Sequence, residues 1–257
     1  MAHAQTCEGC RTGDPFPIDF TMAFQPIIDV QSQRVWGYEA LVRGVNGEGA
    51  GTVLAAVNEH NRYKFDQACR VKAIELAGRN MPAGSTAMLS INFMPNAVYE
   101  PSACIRASLA AARRAKFDPK RLMFEFTENE RISDTGHVEN IISTYRQMGF
   151  TTALDDFGAG YAGLGLLARF QPDLIKIDME LIRGVCTSPA RRAIIKGIID
   201  IAAALDIRVL AEGVESESEM MTLAAAGVKL FQGYLFAKPE LETFRTDRDV
   251  GMLRAVA

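Results

Sequence analysis

The chain has 257 residues, of which 48% are hydrophobic and 23% are charged, so it is long and apolar enough to bury one large core. Its formal net charge of -3 argues against a groove that binds nucleic acid by neutralising phosphates. The N-terminus contains no apolar signal segment, and charges interrupt every later apolar run before it reaches membrane-spanning length. We therefore expect a cytoplasmic α/β protein with no DNA, RNA or membrane partner.

The N-terminal tail, residues 1–20, is expected to be flexible, and residues 21–257 are expected to form a single domain. The tail carries Cys7 and Cys10 in a C-x-x-C pair with His3 nearby. One such pair offers too few ligands for a closed zinc site, so an unstructured tail is favoured over a metal or redox role. The five cysteines of the chain are an odd number scattered through a large domain, which does not indicate a disulfide framework.

Two strand-like runs follow the tail, at 21–30 and 34–43, joined by a polar turn. In the second run, the period of two places Glu39 and Arg43 on the same face as two apolar residues, with Trp36 on the opposite face. A surface salt-bridge face would explain the two charges by themselves. The apolar neighbours on that face favour a partly buried site instead.

The next part of the chain predicts alternating helices and strands. Helical patterns cover 52–79, with a break near Asn61, then 102–116 and 137–148, and strands cover 85–92 and 122–126. Asn92 ends the first of these strands, and Glu125 lies within the apolar second one. A buried carboxylate at Glu125 costs free energy unless it is paired or bound to a metal.

The stretch 151–178 holds the densest set of polar signals. An apolar strand at 152–154 ends in Asp155 and Asp156, and four glycines follow within eight residues. A helix at 164–170 leads to a strand at 174–177, which carries Lys176. Adjacent carboxylates at a strand exit repel each other, so a divalent cation would stabilise them. Taken alone, this stretch fits a solvated acid pair beside a flexible loop equally well.

Gly158, Gly160 and Gly163 also match the G-x-G-x-x-G spacing of dinucleotide-binding loops. Such a loop presents bare amides and a helix N-terminus to a pyrophosphate, and Asp155 and Asp156 directly before it would repel that group. The loop also lies in the middle of the chain, and not at the start of a nucleotide-binding domain. We therefore disfavour a nicotinamide cofactor.

The remaining chain continues the alternation. The pattern predicts a helix capped by Ser188 and Pro189 that runs to 205, a strand at 207–211, a Ser216–Glu219 capping box for a helix ending near Gly227, a strand at 229–231 and a closing helix at 241–253. Repeated strand–helix alternation predicts a TIM-like (β/α)8 barrel, with functional residues at the C-terminal ends of the strands. Polar residues fall there on nearly every strand: Glu39, Asn92, Glu125, Asp155, Asp156, Lys176, Glu212 and Gln232. A shared site explains this distribution better than surface decoration does.

Eight motifs occur in order between residues 23 and 239. They are QPI at 25–27, YEALVRG at 38–44, SIN at 90–92, EFTE at 125–128, DDFGAGY at 155–161, KID at 176–178, AEGVE at 211–215 and QGYLFAKP at 232–239. With these motifs the chain resembles the EAL-domain cyclic di-GMP phosphodiesterases over nearly its whole length. The resemblance implies a barrel whose first strand is antiparallel to the rest, and hydrolysis of cyclic di-GMP to linear pGpG.

The resemblance also implies roles for individual residues. The expected metal ligands are Glu39, Asn92, Glu125, Asp155, Asp156 and Glu212. The expected catalytic residues are Lys176, Glu212 and Asp156, with Lys176 orienting the attacking water. The expected substrate contacts are Gln25, Leu41, Arg43 and Gln232. The residues expected to order the central loop and to support a homodimer are Glu128, Phe157, Gly158, Gly160 and Tyr161.

The expected ligand set contains only oxygen donors, which suits Mg2+ or Mn2+ better than zinc. Two such ions about 4 Å apart would activate a bridging water and stabilise an in-line displacement at phosphorus. Two other functions stay open. A barrel of this family can bind cyclic di-GMP or a protein without turnover, and enolase-type proton abstraction also uses carboxylates and a lysine at barrel strand ends.

Overall fold

The structure is a computed structural model, and it describes Phe16 and residues 18–98, 100–127, 135–160 and 163–250. The strands in these ranges are β1 (Phe20–Asp29), β2 (Arg34–Gly44), β3 (Met88–Asn92), β4 (Leu122–Thr127), β5 (Thr151–Phe157), β6 (Leu174–Ile177), β7 (Arg208–Ala211), β8 (Leu230–Phe231) and β9 (Glu240–Leu241). The helices are α1 (Ala50–Leu54), α2 (Arg62–Asn80), α3 (Pro101–Cys104), α4 (Arg106–Ala115), α5 (Thr135–Gln147), α6 (Gly163–Leu167), α7 (Met179–Ile182), α8 (Pro189–Ala204) and α9 (Glu217–Ala225).

Strands β1 to β8 close into a barrel. From β2 to β8, each strand pairs in parallel with the next one along the chain. β1 closes the ring by pairing antiparallel with both β2 and β8, and the short strand β9 adds an antiparallel pair to β1. The predicted TIM-like barrel with an antiparallel first strand is therefore confirmed.

The barrel interior has two layers, one apolar and one polar. The apolar layer consists of Ile27, Met123, Ala153, Leu174, Leu210 and Leu230, and Trp36 and Met88 pack against it. The polar layer consists of residues that each come two positions after one of these apolar residues in the chain. They are Ser90, Glu125, Asp155, Lys176, Glu212 and Gln232. Because strand side chains alternate with a period of two, each polar side chain lies on the same face as the apolar side chain before it. A second and larger core packs the outer face of the strands against the helices.

Several predicted helix boundaries are confirmed by their hydrogen bonds. Asn61 separates α1 from α2, and its side chain accepts from Asn58 N at 2.8 Å and donates to Ala56 O at 2.8 Å. Ser188 caps α8, and its Oγ accepts from Arg191 N. At α9, Ser216 and Glu219 form a reciprocal capping box. The side chains of Ser188, Ser216 and Glu219 satisfy backbone groups that a helix N-terminus leaves without partners, whereas Asn61 closes the turn before α2.

The predicted closing helix at 241–253 is wrong over the part that the structure describes. Glu240–Leu241 is instead the strand β9, and the N–H of Glu242 donates to Met22 O at 2.9 Å, so this segment is held against β1. Further on, the N–H of Thr246 donates to Asp249 Oδ2 at 3.0 Å, which closes a turn. Pairing to a distant strand outweighs the local helical pattern here. The predicted helix at 102–116 is also divided, into α3 and α4.

The expected division into a tail over 1–20 and one domain over 21–257 stays a prediction. Cys7, Cys10, Glu128 and Tyr161 lie outside the described residues. Among the helices that the structure describes, none combines the length and the apolar character needed to cross a membrane.

Candidate active site

The polar layer opens into a cavity of about 340 Å³ at the C-terminal end of the barrel strands. Eight residues of the predicted site line it: Gln25, Glu39, Leu41, Asp155, Asp156, Lys176, Glu212 and Gln232. Asn92 and Glu125 join the same cluster through Glu39 and Lys176, to which they are hydrogen-bonded. Side chains from β1 to β8 and the loops that follow them therefore meet in one place, as the sequence predicts.

Lys176 lies at the centre of this cluster and exposes only 1% of its side chain. Its Nζ lies 2.8 Å from Glu125 Oε2, 2.9 Å from Asp155 Oδ1 and 2.5 Å from Glu212 Oε1. Glu39 Oε1 is a fourth neighbour at 3.7 Å. Burial by itself would lower the pKa of Lys176, but these four carboxylates raise it well above its usual value. The lysine is therefore a permanent cation inside the barrel.

The single positive charge of Lys176 does not neutralise the negative charge of the acids that surround it. The pKa of Glu125 is raised to about 8, mainly by burial and in part by the carboxylates of Glu39 and Asp155, while Lys176 opposes the rise. Burial and the neighbouring Asp155 likewise raise the pKa of Asp156 to about 6 and move the pKa of Glu212 well upward. The cluster contains five carboxylates and one ammonium, so a bound cation would supply positive charge that the residues lack.

The carboxylates form two overlapping groups that fit metal ions. Glu39, Glu125 and Asp155 each offer an oxygen within 4.8 Å of the others, and Asp155, Asp156 and Glu212 do the same. All these donors are hard oxygens, the ligands that Mg2+ and Mn2+ prefer. The residues present therefore fit divalent cations of this class.

Glu39 is held by amide groups on both of its oxygens. Asn92 Nδ2 donates to Oε1 at 3.0 Å, and Gln232 Nε2 donates to Oε2 at 2.7 Å. Gln232 Nε2 also donates to Gln25 Oε1 at 3.1 Å, and Gln25 Nε2 donates to Ala237 O at 3.1 Å. This chain of hydrogen bonds orients the Glu39 carboxylate and leaves the amide oxygen of Asn92 as a further hard donor.

Asp155 and Asp156 reach the same cavity because β5 is irregular. The predicted strand ends before the two acids, whereas β5 continues through them to Phe157. The pairing of β5 with β6 shifts register between Leu154 and Phe157, and Asp156 has a φ of 54°. In a regular strand, adjacent side chains point to opposite faces, so only a bulge places both carboxylates on one side.

Ser90 and Arg183 are among the residues of this site that were not predicted. Ser90 Oγ donates a short hydrogen bond to Glu125 Oε1, and Ser90 is fully buried. The sequence contained its signal, since Ser90 lies two positions before Asn92 on the same strand face. Arg183 lines the cavity and forms an ion pair with Glu215. No periodic pattern marked it, because it follows the one-turn helix α7.

Some predicted residues lie away from the cavity or play a different part. Arg43 does not line it, and its Nη1 donates to Val42 O at 2.7 Å. Phe157 is buried in the outer core. Gly158 has a φ of 97°, and a Cβ there would lie 2.4 Å from Leu181 Cδ1, so the turn after β5 requires glycine. The expected roles of these residues in substrate binding or dimer contacts stay predictions.

A family model described as "EAL domain" matches residues 18–239. The chain belongs to the EAL domain family. Among its curated relatives, the blue light- and temperature-regulated antirepressor BluF of Escherichia coli is 36% identical over 85% of this chain and 54% of its own length. Cyclic di-GMP phosphodiesterase PA2567 of Pseudomonas aeruginosa is 31% identical over 86% of this chain and 38% of its own length. This EAL chain thus spans about half, or less, of the length of these relatives.

Solved EAL structures have the same fold. A standalone EAL protein from Vibrio cholerae O395, in a c-di-GMP bound form, is 51% identical with a TM-score of 0.86 over 92% of this chain and 97% of that one. BlrP1 of Klebsiella pneumoniae, in a manganese and cyclic di-GMP complex, is 36% identical with a TM-score of 0.81 over 90% of this chain and 57% of that one. A further BlrP1 complex contains calcium and cyclic di-GMP.

Proposed function

We propose that this EAL domain is a metal-dependent phosphodiesterase that hydrolyses cyclic di-GMP to linear pGpG. The observation that carries the proposal is the set of five carboxylates around Lys176, which lacks positive charge in the metal-free chain. Relatives named as cyclic di-GMP phosphodiesterases support the substrate class.

Two overlapping ligand sets are assigned to two ions. Glu39, Asn92, Glu125 and Asp155 would hold the first, and Asp155, Asp156 and Glu212 would hold the second. When bound, Mg2+ or Mn2+ supplies Lewis-acid stabilisation of the phosphoryl oxygens and lowers the pKa of a bound water. The complexes of BlrP1 with manganese and with calcium support a divalent cation in this class of site.

Lys176, Glu212 and Asp156 are assigned to the proton and charge movements of the reaction. Lys176 stays protonated among its carboxylates, so its N–H groups can orient the attacking water and offset charge that develops on the phosphoryl oxygens. Glu212 and Asp156 are partly exposed and line the cavity, so their carboxylates are placed to accept the proton that the water loses.

Substrate contacts are assigned to the cavity wall. Gln25, Leu41 and Gln232 line it beside the acids, which suits contacts to a base and to a ribose–phosphate backbone. Arg43 is proposed as a phosphate contact from the rim, which requires its guanidinium to release Val42 O. A homodimer and a cytoplasmic location also stay predictions.

The test is to incubate the full chain with cyclic di-GMP and Mg2+, and separately with Mn2+, and to separate the products chromatographically. We expect pGpG in both reactions and none in the presence of a chelator. Glu39→Ala is expected to lower turnover by at least 10²-fold, whereas Glu48→Ala, an exposed glutamate beyond the same strand, leaves it unchanged. No pGpG in either metal at high enzyme concentration contradicts the proposal.

A second candidate is a module that binds cyclic di-GMP, or a protein, without hydrolysing it. The relative named as an antirepressor favours this candidate. Calorimetry distinguishes the two functions. Tight binding of cyclic di-GMP with Mg2+ present and no product over the same period would select the binding module, and product formation would select the enzyme.

A further inference from the structure

A second cavity, of about 360 Å³, lies at the opposite end of the barrel from the acidic site. It is lined by residues at the N-terminal ends of β7 and β8, by Trp36 and by α8. Arg208 lies four positions before Glu212, and Leu230 lies two positions before Gln232, so the two cavities are separated by the apolar layer of the barrel. Its volume is in the range of small-molecule sites.

The floor of this cavity is apolar and contains the only tryptophan of the chain. Pairing between β1 and β2 shifts register there: Ile27 opposes Gly37 and Ile28 opposes Val35, which leaves Trp36 as an extra residue. The half-buried indole packs against the apolar layer at the end of the barrel. Ile199 and Leu230 complete an apolar surface on which a flat ring can stack.

Two of the positively charged side chains at this cavity, Arg208 and Lys229, are able to bind an anion. The guanidinium of Arg208 stacks on Trp36 with its carbon 5.0 Å from the ring centroid, and it donates no hydrogen bond to any residue the structure describes. Within the same residues, Lys229 has no ion-pair partner. Asp29, the acid in the lining, accepts from the backbone N–H groups of Gln31 and Ser32 through Oδ1. Asp173 lies outside the lining and also acts on Arg208, but its carboxylate is paired with Arg146 and accepts from Thr152 N.

We propose that this cavity binds a small planar aromatic anion, with its ring on the Trp36 surface and its anionic group paired with Arg208 and Lys229. A flat ring matches the indole and the stacked guanidinium, and an anionic group provides the acceptors that both cations lack. A nucleoside monophosphate and an aromatic carboxylate share this chemistry. This site is separate from the acidic cavity, so the proposal can be tested independently of the phosphodiesterase proposal.

The test uses 8-anilinonaphthalene-1-sulfonate, an aromatic anion whose fluorescence accepts energy from tryptophan. Because Trp36 is the only tryptophan, it is the only energy donor, and the two phenylalanine variants below assign the bound dye to this cavity. We expect saturable transfer with one dye per chain. Ala203→Phe, which fills the cavity from α8, is expected to raise Kd at least tenfold. Ala204→Phe, the next residue of the same helix and not part of the lining, leaves Kd unchanged.

Arg208→Gln tests the anionic contact and is expected to raise Kd at least fivefold and to weaken its dependence on salt. Unsaturable transfer, or equal Kd values for the two phenylalanine variants, overturns the proposal.

Displacement of the dye by GMP but not by guanosine identifies a nucleotide ligand, and displacement by indole-3-carboxylate identifies an aromatic carboxylate. Failure of both anions to displace the dye also overturns it. Turnover of cyclic di-GMP, where present, is expected to be the same in Ala203→Phe and in the unmodified chain.

Discussion

The ammonium of Lys176 lies 2.8 Å from Glu125 Oε2, and the two side chains expose 1% and 0% of their surface. Neither group can be solvated by bulk water, so the hydrogen bond between them replaces hydration that both have lost. The acids that complete the cluster exceed this one cation in charge. The stability of the metal-free barrel is therefore linked to the protonation and the metal content of the site.

Lys176→Met is expected to lower the free energy of unfolding of the metal-free protein by about 3–5 kcal/mol, because it leaves buried carboxylates without their cation. Turnover is expected to be lost as well. Urea unfolding in a chelator measures the first effect. Lys196→Met is the matched control: its ion pair with Asp200 is more than half exposed, and its change is expected to stay within about 0.5 kcal/mol. Equal losses in the two variants would contradict the assignment.

Ser90→Ala is expected to lower the free energy of unfolding by about 1–3 kcal/mol, because Glu125 Oε1 loses its buried donor. Metal affinity is expected to fall by about 10–100-fold, as for other residues that orient a ligand. Isothermal titration with Mn2+ measures the affinity. Ser102→Ala provides the comparison, since Ser102 Oγ donates to Glu100 Oε1 on the exposed surface. An unchanged Mn2+ affinity in Ser90→Ala would show that Glu125 needs no such orientation.

The stability of the metal-free protein is expected to fall as pH rises. Glu125 has a folded-state pKa of about 8 and Asp156 of about 6, both above their usual values. The folded state therefore holds protons that the unfolded state has released, and this contribution is lost as pH rises from the usual carboxylate range to about 8. Thermal unfolding in a chelator across this range measures the slope. Glu125→Gln is expected to flatten it, and Mg2+ is expected to stabilise more at high pH because it displaces those protons. A slope of opposite sign excludes this linkage.

Asp156 is a proposed metal ligand and also has a left-handed backbone conformation. Two substitutions distinguish the effect of losing the ligand from the effect of the backbone conformation. Asp156→Asn removes the charge but keeps a residue that tolerates a φ of 54°, so stability is expected to be retained. Asp156→Val imposes a β-branched residue there and is expected to cost about 1–3 kcal/mol. Metal titration is expected to show a loss of affinity in both. If Asp156→Asn and Asp156→Val unfold at the same urea concentration, the bulge is not strained.

Arg70 and Asp66 form a buried ion pair at 2.8 Å, and Asp66 Oδ1 also accepts from Met94 N at 2.9 Å, two residues after Asn92. Arg70→Met is expected to cost about 3–5 kcal/mol, because Asp66 stays buried without its partner. Glu75 lies on α2, as Arg70 does, and forms an exposed ion pair with Arg114 of α4. Arg114→Met removes this pair and is expected to lower the free energy of unfolding by at most about 1 kcal/mol. Denaturant unfolding measures the free energy of unfolding of both variants. A loss below about 1 kcal/mol for Arg70→Met would mean that Asp66 forms a bond with another partner.

Much of the site was predictable from the sequence because it follows the period of two along each strand. Glu125, Asp155 and Lys176 each come two residues after an apolar residue of the barrel interior, so one alternating pattern specifies both layers. The order of strands and helices follows from similar local patterns, and caps such as Ser216 with Glu219 need only adjacent residues. The antiparallel first strand came from the family resemblance, since no local pattern encodes strand direction.

The tertiary structure added what depends on partners far away in the chain. The bulge that turns Asp156 toward Asp155 arises from pairing with β6, and the extra residue Trp36 arises from pairing with β1. The segment at 241–250 was mispredicted as a helix because it is held by β1 and β2, more than two hundred residues earlier in the chain. Local sequence determines which residues alternate and which are charged, whereas register shifts, bulges and the meeting of four acids on one lysine depend on long-range pairing.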